Sequence, residues 1–363
     1  LAQQDGMQVL RYRRPRLSAF HPRRHHAAVR AAAEQARAAF GDQRWDVVHM
    51  HTPFTGEGVQ RALGRGPRYI YTMHSPAVLE QRINWGTQGL SGRMKLLLGQ
   101  GALRRHERRV LSECESIHTL SCFTRDRIEE FYGLGDRVRV IPHWRRPGMQ
   151  RRCTKSQARR ELGWPDDGPL FFTVRIHGPR YGIDDAIRAA APLLAPRNAR
   201  FAIGGDGPLT PAFKRLADEL GCAERVRFTG RLSDEALALA YQAADLFVLP
   251  TRALECFGLI TIEALSYGCP VLSTDAAAIP ETMNLILPDF VVPAGDVQAL
   301  RARMDDFLSG RLVAPPEEAL VRFVAERFDA AVVTPQILAL LEGSAGPGAT
   351  GPAGSTAPHF GKA

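Results

Sequence analysis

Two glutamates, Glu255 and Glu263, flank Phe257, Gly258 and Leu259 in the stretch LECFGLITIEALSYGCP, residues 254–270. A helix starting near Phe257 or Gly258 would leave the N–H groups of Phe257, Gly258 and Leu259 without intrahelical acceptors, and such an end attracts an anion. Glu255, in the loop before it, could then accept hydrogen bonds from sugar hydroxyls close to a diphosphate. Glu263, about two turns further on, could grip the paired hydroxyls of a ribose. The plainer reading makes Glu255 a helix-start acid that complements the dipole and Glu263 a solvated side chain. Ile260, Ile262, Ala264 and Leu265 surround Glu263 in sequence, and a carboxylate in apolar company needs partners. Countercharge is available in FFTVRIHGPRYGIDDAI, where Arg175 ends a strand-like run and Arg180 lies in the loop after it. Glycines 204, 205 and 207 of RFAIGGDGPLTPAF precede a helix that Pro208 or Pro211 could begin. They suit either a close approach to phosphate or a tight turn. No Asp-x-Asp occurs, so a divalent metal on the diphosphate is not suggested and no cofactor is expected.

These residues need a sheet edge to hold them. Short β-rich runs alternate with helical patterns throughout: MQVLRY, DVVHMH, YIYTMH, SIHTLS and RVRVIP in the first half, then LFFTVR, RFAIGG, RVRFTG, DLFVLP and PVLST. That alternation predicts an α/β protein of two doubly wound, Rossmann-like parallel sheets. The expected domains are 1–150 and 151–342, joined through the Pro-, Gly- and charge-rich residues 143–167. A Gly/Ala/Pro/Ser/Thr-rich tail, 343–363, is expected to be disordered. The opening LAQQDGMQVLRY reads as a helix end followed by a second strand, so the first domain is expected to lack its first βα unit, through a misplaced gene start or a truncation.

Composition narrows the partners. Residues 1–167 carry 30 Lys and Arg against 16 Asp and Glu, whereas residues 168–363 carry 17 against 22. A basic half suits a phosphorylated ligand or an anionic membrane face; dispersed arginines without a binding motif argue against nucleic acid. The helical segment LLLGQGALRRHERRVL, 96–111, predicts leucines on one side and Arg104, Arg105, Arg108 and Arg109 elsewhere. That pattern suits lipid headgroups, or simply a solvated face on a core helix. There is no apolar run of membrane-spanning length and no signal-peptide pattern at the start. Six cysteines without C-x-x-C pairs point to neither disulfides nor zinc. A cytoplasmic setting is expected, with a peripheral position on the inner membrane face left open.

The succession VRIHGPRYGIDDAI, IGGDGPL, VRFTGRLSDEALALAYQAADLFVLPT, LECFGLITIEALSYGCPVLSTDAAAIPE and VPAGD resembles the nucleotide-binding half of family 4 glycosyltransferases (glycosyl transferases group 1) over residues 168–300. VVHMHTPF, YTMHSPAVLEQR, IHTLSCFTRDRIEEFYG and RVRVIPHW follow the family's order less sharply. The resemblance implies the GT-B arrangement of two facing Rossmann-like domains. It also implies a retaining, metal-independent hexosyl transfer from a nucleoside diphosphate sugar, UDP-linked with GDP open, to a hydroxyl acceptor that is a glycan, a lipid-linked glycan or a small molecule. Glu255 would contact the donor sugar, Glu263 the ribose, and Phe257, Gly258 and Leu259 the diphosphate. Arg175 and Arg180 would be phosphate-binding, Gly205 and Gly207 would line the donor site, and Gly230, Arg231 and Leu232 would meet the base. His74 would lie near the transferred sugar, although a histidine at a strand end is by itself an ordinary structural residue.

Several positions depart from the family pattern. Ile176 and Tyr181 stand where an arginine and a lysine are usual, and Cys256 stands for a glycine. Ala276, Ala277 and Ala278 replace a glycine pair, and PHWRRPG replaces an asparagine-glycine turn. Two other readings therefore stand beside the transferase: a catalytically weak nucleotide-sugar or glycan-binding relative, and a GT-B nucleotide-sugar epimerase. The epimerase needs an acid/base carboxylate cluster beyond the glutamate pair, which the sequence does not display.

Overall fold

The computed structural model describes residues 2–4, 7–9, 22–40, 43–86 and 89–344. Within them the chain divides into two compact units, one of residues up to Ile141 together with those from Pro335, the other Pro142–Thr334. The segment Pro142–Met149, expected to belong with the first domain or the connection, is therefore part of the second unit, and the tail beyond residue 344 lies outside the described residues.

The first unit contains β1 (Ala2–Gln4), β2 (Met7–Val9), α1 (Pro22–Phe40), β3 (Val47–Met50), α2 (Pro53–Leu63), β4 (Arg68–Met73), α3 (Ala77–Gly86), α4 (Gly89–Ser112), β5 (Ser116–Thr119), α5 (Cys122–Tyr132) and β6 (Val138–Val140). β3 to β6 form a parallel sheet in chain order, so the described strands show no reversal of the doubly wound kind. The opening segment corrects its prediction: β1 and β2 pair antiparallel as a separate ribbon, with Ala2 opposite Val9. Strand alternation sends Met50, Tyr69, Tyr71, Met73 and Ile117 to one face. There they pack with Val110 and Leu111 of α4 and with Ile128 and Tyr132 of α5. α4 also departs from its prediction. Its core face is Gly92, Gly99, Leu103, Glu107, Val110 and Leu111, while Leu90 (82%), Met94 (55%), Leu97 (82%) and Leu98 (69%) are exposed. At 100° per residue those four share one outward face with Arg104, Arg105 and Arg108.

The second unit contains α6 (Lys155–Leu162), β7 (Leu170–Val174), α7 (Ile183–Leu194), β8 (Arg200–Gly204), α8 (Thr210–Glu219), β9 (Val226–Gly230), α9 (Asp234–Ala243), β10 (Leu246–Leu249), α10 (Leu259–Ser266), β11 (Val271–Thr274), α11 (Ile279–Met283), β12 (Val291–Val292), α12 (Val297–Leu308) and α13 (Glu317–Phe328). A last helix, α14 (Ala330–Glu342), leads back into the first unit. The sheet order β12-β11-β10-β7-β8-β9 reverses between β7 and β10, the doubly wound pattern, and opens a crevice at the C-terminal ends of those two strands. The pair is locked at its other end. The Asp245 carboxylate accepts from Leu170 N–H at 2.8 Å and from the buried Arg159 at 2.7 Å, while Asp245 N–H donates to Leu170 O at 2.9 Å. Phe171, Phe172, Phe201, Phe247 and Tyr241 fill the interior, so the strand ends are anchored by a dense aromatic core.

Candidate active site

The reversal point collects the charged residues singled out from sequence. Arg175 directly follows β7 and its Nη2 donates to Glu255 Oε2 at 2.5 Å; both side chains are mostly buried, at 13% and 18% exposure. Arg180 donates to the Tyr181 hydroxyl at 2.7 Å and lies over its ring at 4.7 Å, while Arg175 lies 5.4 Å from the same ring. Tyr181, singled out only as a replacement for lysine, thus gathers both guanidinium groups by cation–π contact. α10 begins at Leu259, one or two residues later than predicted, with Gly258 as its cap at φ +82°. A side chain there would be strained, which is why glycine suits the position. Among the described residues no protein acceptor takes the N–H groups of Phe257, Gly258 or Leu259, and the Arg175 Nε and Thr261 Oγ1 atoms are buried without partners. The site is rich in unused donors, the condition for binding an anion.

Glu263 lies one turn into α10 and is 18% exposed. Tyr241 Oη donates to its Oε2 at 3.2 Å, and Arg146 Nη2 lies 3.6 Å from its Oε1. Burial pushes the carboxyl pKa up, while Arg146, the Tyr241 hydroxyl and Arg175 oppose that shift. The loop before α10 is clasped by the next one, with Ala278 N–H donating to Glu255 O at 2.9 Å. Leu254 and Ala277 both sit at φ +56°. Ala277 therefore holds, at a cost, the left-handed conformation that a glycine adopts freely.

The glycine loop makes the tight turn that was one of its two sequence readings. Gly205 N–H donates to Gly230 O at 2.8 Å, and Gly207 N–H lies 2.7 Å from Asp206 Oδ1 and 3.1 Å from Thr210 Oγ1. A Cβ on Gly205 would fall 1.9 Å from Arg175 O, and one on Gly207 2.7 Å from His177 O. These glycines let the loop nest against residues 175–177, with the Gly205 and Gly207 N–H groups engaged within the chain, and so they hold the backbone beside Arg175. α8 begins at Thr210 with Pro211 in its first turn. Gly230 (φ +69°) accepts the Gly205 bond; Arg231 is exposed beside it and Leu232 half-buried.

His74 belongs to the first unit, at the end of β4. Its Nε2 lies 3.0 Å from His51 Nδ1 and the two rings stack with centroids 5.3 Å apart. Behind them His118 Nε2 lies 2.9 Å from Ile141 O, His118 Nδ1 2.9 Å from Thr72 Oγ1, and Thr72 Oγ1 2.6 Å from His49 Nε2. A carbonyl only accepts, so His118 carries its proton on Nε2, Thr72 donates to His118, and His49 donates to Thr72. Desolvation and the neighbouring rings hold His51 down to about 4, and burial does the same for His118. The turn after His74 is anchored by buried Glu107, which accepts from Ala77 N–H at 3.1 Å and from the Tyr132 hydroxyl. Sequence reasoning missed Tyr241, Arg146 and the His51 partner. Only His51, two residues after His49 in HMH, carried a visible signal.

Residues 154–324 match the family described as Glycosyl transferases group 1, and residues 2–145 match Glycosyltransferase Family 4. The chain belongs to this glycosyltransferase family. A D-inositol 3-phosphate glycosyltransferase of Acidothermus cellulolyticus is 28% identical over 322 residues, covering 82% of this chain and 68% of the relative. A GDP-mannose-dependent α-(1-6)-phosphatidylinositol monomannoside mannosyltransferase of Mycolicibacterium smegmatis is 30% identical over 233 residues, covering 61% of this chain and 58% of the relative. Among solved structures, Alr3699/HepE of Anabaena in complex with UDP and glucose aligns with a TM-score of 0.71 at 17% identity, over 87% of this chain and 82% of that one. This likeness shows the GT-B fold. The chain thus spans about three-fifths to two-thirds of the length of these two curated relatives.

Proposed function

We propose that this group 1 glycosyltransferase moves a hexose from a nucleoside diphosphate sugar to a hydroxyl acceptor with retention at the anomeric carbon. The observation that carries the reading is the surplus of donors at the reversal point: Arg175, Arg180 and the unbonded N–H groups of Phe257, Gly258 and Leu259. As the bond from the anomeric carbon to the diphosphate oxygen breaks, its electron pair and charge go to the diphosphate, which these groups stabilise without a metal. The oxocarbenium-like sugar is attacked from the same face by the acceptor oxygen, whose proton passes to the departing diphosphate. Glu255 holds the sugar hydroxyls and Glu263 the ribose, while His74 keeps the role that the family resemblance implies. UDP is the donor nucleotide tested first, as the family resemblance implies, and the GDP-mannose dependence of the mycolicibacterial relative puts GDP beside it. Incubation with UDP- and GDP-hexoses, followed by NMR of the product's anomeric proton, tests transfer and stereochemistry together; an inverted product rejects the mechanism. The exposed Ile176 (62%) where arginine is usual, and the engagement of Arg175 by Glu255, favour a second reading, a donor-binding relative with little turnover. Donor binding without transfer or donor hydrolysis would select it.

The outward face of α4 supports an anionic membrane surface as the place of the acceptor. Leu90, Met94, Leu97 and Leu98 offer apolar contact, and Arg104, Arg105 and Arg108 continue the same face toward the helix end. No described helix is long and apolar enough to cross a membrane. Co-sedimentation with phosphatidylglycerol vesicles should be lost in Leu97→Glu/Leu98→Glu and weakened by salt; salt-independent or unchanged binding rejects this surface.

A further inference from the structure

Arg146 lies in PHWRRPG, a departure from the family's turn that the proposed chemistry leaves unexplained. Its neighbour fixes the local backbone. Arg145 N–H donates to Phe328 O at 2.7 Å, and the Arg145 side chain reaches Asp329 Oδ2 with Nε at 3.0 Å and Nη2 at 2.7 Å, and Met149 O at 3.1 Å. So tethered, the segment delivers the Arg146 guanidinium between two carboxylates. Nη1 lies 3.1 Å from Asp234 Oδ2 in the first turn of α9, and Nη2 lies 3.6 Å from Glu263 Oε1. A half-exposed arginine on a surface acid is worth little for stability. The mostly buried Glu263 gives the contact its consequence.

The charged and titratable groups facing Glu263 are Arg146, Arg175, Asp234, Tyr241 and Tyr267. Arg175 is already engaged by Glu255, Asp234 repels a second negative charge, and Tyr241 donates a single bond at 3.2 Å. Arg146 is therefore the cation best placed to hold Glu263 as a carboxylate. Its importance lies in hydrogen-bond arithmetic: an ionised carboxylate accepts from both hydroxyls of a vicinal diol, whereas a protonated one has lost an acceptor site to a donor.

We propose that Arg146 is a positioning residue of the donor site, clamped between Asp234 and Glu263 so that both Glu263 oxygens are presented as acceptors to the ribose diol of a nucleoside diphosphate. This rests on the reading of Glu263 as the ribose-binding residue. The test uses the full chain as wild type, Arg146→Gln, Arg146→Lys and Glu263→Gln. UDP, GDP and inorganic diphosphate are titrated calorimetrically from pH 5 to 8, and the Glu263 carboxyl carbon is followed by NMR in the ligand-free protein, with Glu263→Gln assigning the signal. Because burial raises the Glu263 pKa and Arg146 opposes that shift, Arg146→Gln should weaken the preferred nucleotide about tenfold at the acid end of the range, with the loss shrinking as pH rises. It should leave inorganic diphosphate unchanged and raise the pH at which Glu263 titrates, and Arg146→Lys should restore most of the affinity. If Glu263→Gln weakens the nucleotide but Arg146→Gln does not at any pH, the inference fails and the reading of Glu263 stands. If Glu263→Gln leaves affinity unchanged, the reading of Glu263 fails and the inference with it. Tighter nucleotide binding by Arg146→Gln would make the guanidinium a competitor for Glu263. Weaker inorganic diphosphate binding would make it a phosphate ligand, and an unchanged Glu263 titration would show that it holds nothing; each overturns the proposal.

Discussion

Replacing Glu255 by glutamine separates the two demands placed on the Arg175–Glu255 pair. The 2.5 Å contact between side chains 13% and 18% exposed lies between a surface ion pair and a buried one. Breaking a fully buried pair costs roughly 3–5 kcal/mol and an exposed one under about 1 kcal/mol, so a glutamine that keeps one acceptor oxygen should cost about 2 kcal/mol. In a domain of this size that lowers the melting temperature by roughly 4–8 °C. The same change frees Arg175 from its carboxylate, whose place a ligand phosphate would otherwise have to share. Inorganic diphosphate and UDP should therefore bind Glu255→Gln tighter, by about fivefold or more for each kcal/mol released, while transfer from the intact sugar donor falls. Denaturant unfolding and calorimetric titration of inorganic diphosphate read the two effects separately. Stability within about 0.5 kcal/mol of wild type, together with weaker diphosphate binding, would refute the competition between Glu255 and phosphate for Arg175.

Three further outcomes follow from the geometry. Ala277→Gly removes left-handed strain worth about 1–2 kcal/mol against a backbone-entropy cost of roughly 0.5–1 kcal/mol, so denaturant unfolding should show a gain of about 0.5–1 kcal/mol; a loss would mean that the loop is not strained. His118, 5% exposed and held to about 4 against an ordinary 6.5, stays neutral in the folded chain while the unfolded chain takes up a proton. Stability should therefore fall as pH drops below 6.5, reaching a loss of about 3 kcal/mol near pH 4, and His118→Asn should flatten that slope in urea titrations between pH 7 and 4. His51→Ala should lower transfer without altering nucleotide affinity, because His51 touches His74 in the first unit; an unchanged rate would show that the imidazole pair is only structural.

Sequence made the second unit legible because its strands are nearly continuous apolar runs and its charged residues fall at their ends. The reversal between β7 and β10 then brings Arg175 and Glu255 together, although the residues are 80 positions apart. For the glycine loop, sequence reveals where a Cβ is missing but not what uses the space; here residues 175–177 pack into it. Tyr241 was invisible for a related reason, since an aromatic in the last turn of a helix reads as core, and its hydroxyl's bond to Glu263 joins residues 22 positions apart on two different helices. The exposed leucines of α4 escaped because periodicity defines a face without saying that the core takes the opposite, glycine-containing one. In the opening residues, the helix reading did not anticipate that Ala2–Gln4 pairs antiparallel with Met7–Val9.

A nucleoside diphosphate is proposed to bind where β7, β10 and α10 meet, and calorimetric titration of the folded chain with UDP, GDP and ADP, with and without EDTA, tests this most directly. One of the three, UDP first, should bind equally well in EDTA, and Glu263→Ala should weaken that binding by roughly 1.5–3 kcal/mol for each charge-assisted hydrogen bond lost. Failure of the folded protein to bind any of them, or binding unchanged by Glu263→Ala, would contradict that placement.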